Sequence, residues 1–377
     1  MAETIKRIGI LTSGGDCSGL NAVIESVVKS ASSKNIQVLG FKMGYDGLLY
    51  NDYVLLDNAS VRNIGHEGGS ILGNSNKTNL FHRRIFAEDG SITYRDDSLI
   101  AVKNLQNDSV DALVVVGGDG SMTSARDFAR LGVNVVCIPK TIDNDVPYTD
   151  KTFGYSTAVE RIADALCSIK TTGYSHNRIM VLEVMGRHAG WLALEGGLSG
   201  DADFIILPEI PYNIEHITEK LIQRYKDGFK STLICVSEGA HPVNGKVTAT
   251  VNSKYPDSVK LGGIGTKIAY ELEERLKDKT DQEVRCTNLG YVQRGGNTNY
   301  SDRILSFRYG SYAVDTIVRK EFGVMVAMRG EAIVTVPLED VVGNGPMGET
   351  SKGGSKNVTE DSDLLRCARS MGVYLGE

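Results

Sequence analysis

Short apolar runs, each closed by a polar, glycine-rich turn and followed by a segment of helical periodicity, recur along the first part of the chain. Ile8 to Leu11 leads into Thr12-Ser13-Gly14-Gly15-Asp16, after which Asn21 to Ala31 reads as a helix. Ala112 to Val116 leads into Gly117-Gly118-Asp119-Gly120-Ser121, and Met122 to Leu131 continues helically. Val135 to Ile138 runs into Pro139-Lys140-Thr141-Ile142-Asp143-Asn144-Asp145. Strand, turn and helix in this rhythm predict an α/β fold with mainly parallel sheets. Ligands of such sheets bind outside the carboxyl ends of the strands, where these polar turns lie.

A second set of elements follows. Thr157-Ala158-Val159-Glu160 has capping-box spacing, and Val159, Ile162, Leu166 and Ile169 recur at helical intervals. Ile179 to Val184, Phe204 to Leu207 and Thr232 to Val236 are further buried-strand candidates. A hinge is expected near Thr152 to Ser156 and a return crossing near Gly290 to Gly296. The expected division is 1–153 plus about 292–342 in one domain, and 154–291 plus about 343–377 in the other. Gly343 to Lys356, rich in Gly, Ser and Lys, reads as a mobile loop before a last helix over Asp361 to Met371.

The 377 residues suffice for two such α/β domains, each with its own core. A net charge of -6 argues against general nucleic-acid binding. It leaves open a local phosphate site, which relies on backbone N–H groups as much as on side chains. The six cysteines form no C-x-x-C pair, and a chain of this size needs no staples, which suggests free thiols in a reducing compartment. With no signal peptide at the N-terminus and no apolar run of membrane-spanning length, the expectation is a cytoplasmic protein without a membrane partner.

The glycines of Gly14-Gly15-Asp16 let backbone approach a polyphosphate, though a ligand-free tight turn would need the same residues. Asp119, between glycines at the end of an apolar run, can hold Mg²⁺ against substrate phosphates or merely cap the next helix. Asp143 and Asp145 supply two carboxylates two residues apart, one suited to act as a base toward a hydroxyl while the other orients or senses a metal. Met185-Gly186-Arg187 offers small residues for close approach and a planar guanidinium for phosphate oxygens. Arg178, Arg285 and Arg294 are isolated, and read alone each is a surface ion-pairing residue.

Together these segments resemble the phosphofructokinase A family from Ile8 to about Ala313. LTSGGDCSGLNAVI, GGDGS, PKTIDND, SHNRIMVLEVMGRHAGWLAL, SEGA and GYVQRGG follow one another in the family's order. The resemblance implies two similar Rossmann-like domains, with the active site in the cleft between them. It also implies Mg²⁺-dependent transfer of a phosphoryl group to O1 of fructose 6-phosphate. On that basis Asp143 is the base, with Arg187, Gly14 and Asp145 beside it in the reaction, and Asp119 is the Mg²⁺ ligand. Gly15, Tyr45, Asn76, Lys77, Gly118, Asp119, Gly120, Ser121 and Lys140 face the phosphoryl donor. Thr141, Met185, Gly186, Arg187, Glu238, Tyr291 and Arg294 form the sugar-phosphate pocket. Arg178 and Arg285 match arginines that reach it from a neighbouring subunit, so a homodimer or homotetramer is implied.

The chain departs from the short bacterial enzymes of that family at four places. Asn76, next to Lys77, stands for an arginine near the transferred phosphate, Tyr291 for a histidine, and Glu25 for an arginine of the effector site. The segment between Glu238 and Arg285 is also longer. For the donor, Gly120 is the residue of ATP users, where pyrophosphate users carry an aspartate that would repel a nucleotide's α-phosphate. Lys140 is the residue of pyrophosphate users. Weighting the space at Gly120 gives ATP as donor, with pyrophosphate or ADP as alternatives. Rival readings are a lipid or NAD kinase built on Gly117 to Ser121, which leaves PKTIDND and MGRH unexplained, and a non-catalytic sugar-phosphate-binding paralogue.

Overall fold

The computed structural model describes residues 4–75, 78–86, 91–251, 259–349 and 354–377. The strands of its two main sheets are, in chain order, β1 (Arg7–Thr12), β2 (Gln37–Phe41), β3 (Tyr53–Leu56), β4 (Ala112–Gly117) and β5 (Val135–Pro139). They continue with β6 (Ile179–Val184), β7 (Phe204–Ile206), β8 (Thr232–Ser237), β9 (Val284–Asn288), β10 (Val324–Arg329) and β11 (Ala332–Pro337). The chain divides into two units. One holds Met1–Ile142, Val146–Gly154 and Arg294–Ser355, the other Asp143–Asp145, Tyr155–Gln293 and Lys356–Glu377.

In the first unit the sheet order is β11-β10-β5-β4-β1-β2-β3. Its inner pairings are parallel, and β3 and β11 close the two edges antiparallel. Strands β4 and β5 are buried along their whole length, as expected of parallel strands covered on both faces. Leu11, Phe41, Val115, Cys137 and Met325 contribute to the core. The helix Leu20–Ser32 packs on Tyr300–Val318. A Cβ at Gly310 would meet the Val23 carbonyl at 2.9 Å, so glycine is what lets these two helices lie so close.

The second unit carries an all-parallel sheet of order β9-β6-β8-β7. Ile179, Val181, Phe204, Ile234 and Val236 meet Ile268 of the helix Ile264–Leu276 in its core. Tyr155–His176 forms one helix in which Val159, Ile162 and Leu166 are buried. Because it starts at Tyr155, Thr157 lies inside its first turn, and the capping box expected there is not the helix start.

The expectation for Gly343 to Lys356 changes most. Residues 350–353 lie outside the described ones, but Gly343 to Gly348 is fastened rather than mobile. The helix Asp119–Arg130 carries a buried ion pair, Arg126 to Asp127, at 2.7 Å. Arg126 also donates to the carbonyls of Gly343 (2.7 Å) and Pro346 (3.3 Å), Arg130 to that of Gly345 (2.7 Å), and Asp127 accepts the Gly348 N–H at 2.8 Å. This segment therefore belongs to the first unit, and the expected boundary at 342 moves to Ser355. The placement of 1–153 in one domain is corrected likewise, since Asp143–Asp145 groups with the second unit, where the Asp145 carbonyl accepts the Lys356 N–H at 2.9 Å.

Arg126→Ala would leave the Asp127 carboxylate buried without its main cation. Urea unfolding should show a loss of about 3–5 kcal/mol, the usual consequence of breaking a buried pair on one side. A change under about 1 kcal/mol, the scale of an exposed pair, would show that the pair holds nothing together.

Candidate active site

Three polar turns converge because the strands feeding them are neighbours. Strand β1 pairs in parallel with both β2 and β4, and the chain reverses its direction of sheet growth between β1 and β4. That is the topological switch point of a doubly wound sheet, where ligands bind. The Ser13 N–H donates to Val116 O at 2.9 Å and the Lys140 N–H to Gly117 O at 2.9 Å, which aligns the ends of β1, β4 and β5.

Gly14 has φ +83°, a left-handed conformation favouring glycine, and its N–H donates to Ser75 O at 3.0 Å. The Lys140 side chain is 4% exposed and its ammonium donates to the Gly15 carbonyl. A Cβ at Gly14 would lie 3.2 Å from that nitrogen. Lys140 is therefore both a buried cation at the Gly14-Gly15 turn and the tie that shapes it. Arg294 donates to Asp16 O at 3.0 Å and stands over Gly15. A cleft of about 360 Å³ opens here, lined by Gly14, Gly15, Asp16, Gly69, Ser70 and Asn74. The adjacent Cys17 thiol is buried, and burial pushes it up to about 12, so it stays protonated.

Asp119 is the first residue of its helix, with Gly118 at the cap, and its carboxylate is exposed. A Cβ built on Gly120 meets nothing within 4 Å. Ser121 is nearly buried, and Gly117 must be glycine because a Cβ there would lie 2.4 Å from that of Ser121. Tyr45, expected to face the phosphoryl donor, lies beneath this turn. It is 2% exposed, stacks on Phe128 and donates to Ser121 O at 2.7 Å, supporting the turn from the core. Asn76 and Lys77 lie outside the described residues. Glu25, the other departure, accepts the Gly65 N–H at 2.8 Å and pairs with Lys29.

Asp143 and Asp145 flank Asn144, which is buried with φ +51°. Ile142 and Val146, both buried, pin the two ends of this turn. The carbonyl of Thr141 accepts from the Thr152 hydroxyl at 2.8 Å.

In the second unit the ends of β6 and β8 carry Met185-Gly186-Arg187 and Glu238. The Glu238 N–H donates to Val184 O at 2.8 Å and the Gly239 N–H to Gly186 O at 3.2 Å. Gly186 has φ +123°, and a Cβ at Gly239 would sit 2.1 Å from Arg187 O, so both glycines are required for this approach. Arg187 is half-buried, and no hydrogen-bond or ion-pair partner is found for it among the described residues. The following turn is lashed on by Gln293, fully buried, whose side-chain Oε1 accepts the Met185 N–H at 3.2 Å. Tyr291 in that turn is 80% exposed. Arg178 and Arg285, distant in sequence, both reach Glu283 at 2.9 Å. Sequence reasoning passed over Glu183, a carboxylate that is 2% exposed in the otherwise apolar strand β6. A lone acid in a fully buried strand was the available signal.

Two mainly parallel sheets, with glycine turns and basic side chains at the carboxyl ends of their strands, define an α/β protein of the doubly wound class, whose ligands bind at such strand ends. The chain belongs to the phosphofructokinase family, whose sequence model matches residues 7–317. It is 50% identical, over the full length of both chains, to "ATP-dependent 6-phosphofructokinase 2" of Clostridium perfringens. It is 42% identical, over 89% of this chain and 94% of the other, to "Pyrophosphate--fructose 6-phosphate 1-phosphotransferase" of Amycolatopsis methanolica. The solved pyrophosphate-dependent phosphofructokinase of Nitrosospira multiformis shares the fold, with a TM-score of 0.79 at 21% identity over 99% of this chain and 93% of that one.

Proposed function

We propose that this chain is an ATP-dependent 6-phosphofructokinase, transferring the γ-phosphoryl group of ATP to O1 of fructose 6-phosphate to give fructose 1,6-bisphosphate. The observation that carries the donor choice is the open space at Gly120 beside Asp119, where a nucleotide's α-phosphate can pass. The full-length likeness to the Clostridium perfringens protein supports the acceptor and the donor alike.

The Gly14-Gly15 turn, the start of the Asp119–Arg130 helix and the Lys140 ammonium offer N–H groups and positive charge to the donor phosphates. Asp119 fits a Mg²⁺ ion, because that ion binds through one or two carboxylates and substrate phosphates and keeps its remaining waters. An exposed carboxylate at the mouth of the turn suits this, and bound Mg²⁺ would neutralise phosphate charge. Asp143 takes the proton from the 1-hydroxyl as that oxygen attacks the γ-phosphorus, and ADP leaves. Arg187 balances charge on the transferred group, and with Thr141, Met185, Gly186, Glu238, Tyr291 and Arg294 it holds the sugar phosphate. Catalysis of this kind rests on positioning and charge neutralisation.

Arg178 and Arg285 serve the sugar phosphate of a neighbouring subunit in a homodimer or homotetramer. Their pairs with Glu283 are partly exposed, and exposed pairs contribute little, so exchanging Glu283 for a phosphate is cheap. Arg285→Ala should raise the fructose 6-phosphate KM about tenfold with kcat little changed. An unchanged KM would remove this residue from the site. No helix among the described residues is long and apolar enough to cross a membrane, and the enzyme is proposed to act in the cytoplasm.

The deciding assay is fructose 1,6-bisphosphate formation by purified protein with Mg²⁺ and, separately, ATP, ADP or pyrophosphate. Turnover with ATP alone is expected. Turnover with pyrophosphate alone would overturn the donor, and silence with all three would leave the non-catalytic paralogue.

A further inference from the structure

Glu183 is buried in β6 two residues before Met185, at a position where a parallel strand ordinarily carries an apolar side chain. Its carboxylate accepts three donors from two other elements. The Gly263 N–H reaches Oε1 at 2.9 Å, the Gly265 N–H reaches Oε2 at 2.8 Å, and the Asn288 side-chain amide reaches Oε1 at 2.6 Å. Its carbonyl accepts the Leu289 N–H at 3.0 Å. One residue thus ties the strand end bearing Met185-Gly186-Arg187 to the N-terminus of the helix Ile264–Leu276 and to the turn that carries Tyr291 and Gln293.

The chemistry of the contact requires the charge. Each carboxylate oxygen accepts from a backbone N–H at a helix N-terminus, where negative charge is favoured. A buried carboxylate is costly unless such donors satisfy it, so the neighbouring backbone must stay in this arrangement for the fold to tolerate it. The close fit agrees, since a Cβ at Gly265 would lie 2.9 Å from that of Glu183.

We infer that Glu183 is a positioning residue for the sugar-phosphate site, setting the register between Met185-Gly186-Arg187 and the Gly290–Gln293 turn without touching the substrate. This rests on the reading of those segments as the fructose 6-phosphate pocket. The strand bearing Glu183 ends in that pocket, whereas the donor turns sit on the other unit's sheet, so its loss should act on one substrate alone.

Glu183→Gln keeps the shape but turns an amide NH₂ toward at least one backbone N–H. The fructose 6-phosphate KM should rise about tenfold, the scale of losing a charge-assisted hydrogen bond, while the ATP KM and kcat stay within about threefold. Asn288→Ala removes one donor from an exposed position and should shift the same constant in the same direction, by less. It decides the matter if the first variant does not fold. An unchanged fructose 6-phosphate KM, or equal losses for both substrates, would overturn the inference. Wild-type turnover with fructose 6-phosphate is measured first; its absence would sink the underlying reading of the pocket, whereas normal wild-type turnover with an unaffected variant sinks only the role of Glu183.

Discussion

Replacing Asp143 by alanine is expected to lower kcat by about 10²- to 10⁴-fold, the usual range for loss of a general base. The variant should fold normally. Several contacts besides those of Asp143 hold its turn: Ile142, Asn144 and Val146 are buried, and the Asp145 carbonyl accepts the Lys356 N–H. Removing one half-buried carboxylate leaves those contacts in place. The loss should fall on kcat more than on either KM, because proton removal contributes in the transition state and little in the ground state. Thermal unfolding within a few degrees of wild type, with turnover near normal, would show that another group accepts the proton.

The second large effect is a change of donor. Gly120 is the second residue of its helix, exposed, with nothing within 4 Å of a Cβ built there. An aspartate there adds a carboxylate to a first helical turn, where acids are tolerated or favoured, so Gly120→Asp should cost no stability. It would set a second negative charge beside Asp119, where the proposed donor site takes a nucleotide's α-phosphate. Like charges at about 4 Å repel by roughly 4 kcal/mol at an effective dielectric constant near 20. With partial relief by solvent, kcat/KM for ATP should fall about 100-fold. Pyrophosphate, which ends where the α-phosphate begins, should lose far less. Parallel kcat/KM measurements with the two donors test this, and equal losses would sink the steric and electrostatic account. Lys140 stands apart from that contrast. It is tied to the Gly15 carbonyl, so its ammonium shapes the turn that either donor would use.

Much of the fold was legible in the residue order because the signals are local. Apolar runs of strand length, glycine turns and helical periodicity mark β1, β4 and β5 and the helices after β1 and β4, and Asn21 to Ala31 falls inside the helix Leu20–Ser32. The turns that carry Gly14, Asp119, Asp143 and Arg187 were legible for the same reason, since each ends a strand. Local signals also misled. Thr157 carries a capping pattern inside a helix that starts earlier, and the composition of Gly343 to Gly348 concealed its attachment.

What only the tertiary structure decided involves partners far apart in the chain. Lys140 reaches Gly15 across 125 residues, Arg126 reaches Gly343 across 217, and the Glu183 carboxylate reaches Gly263 across 80. The Tyr45 hydroxyl meets Ser121 O from the buried side, across 76 residues. A sequence states which groups can donate, accept or carry charge. Which of them meet depends on strand order and register, and here the parallel neighbours β1, β4 and β5 bring three turns to one edge, while β6, β8 and β9 bring the proposed sugar-phosphate segments together around a buried carboxylate.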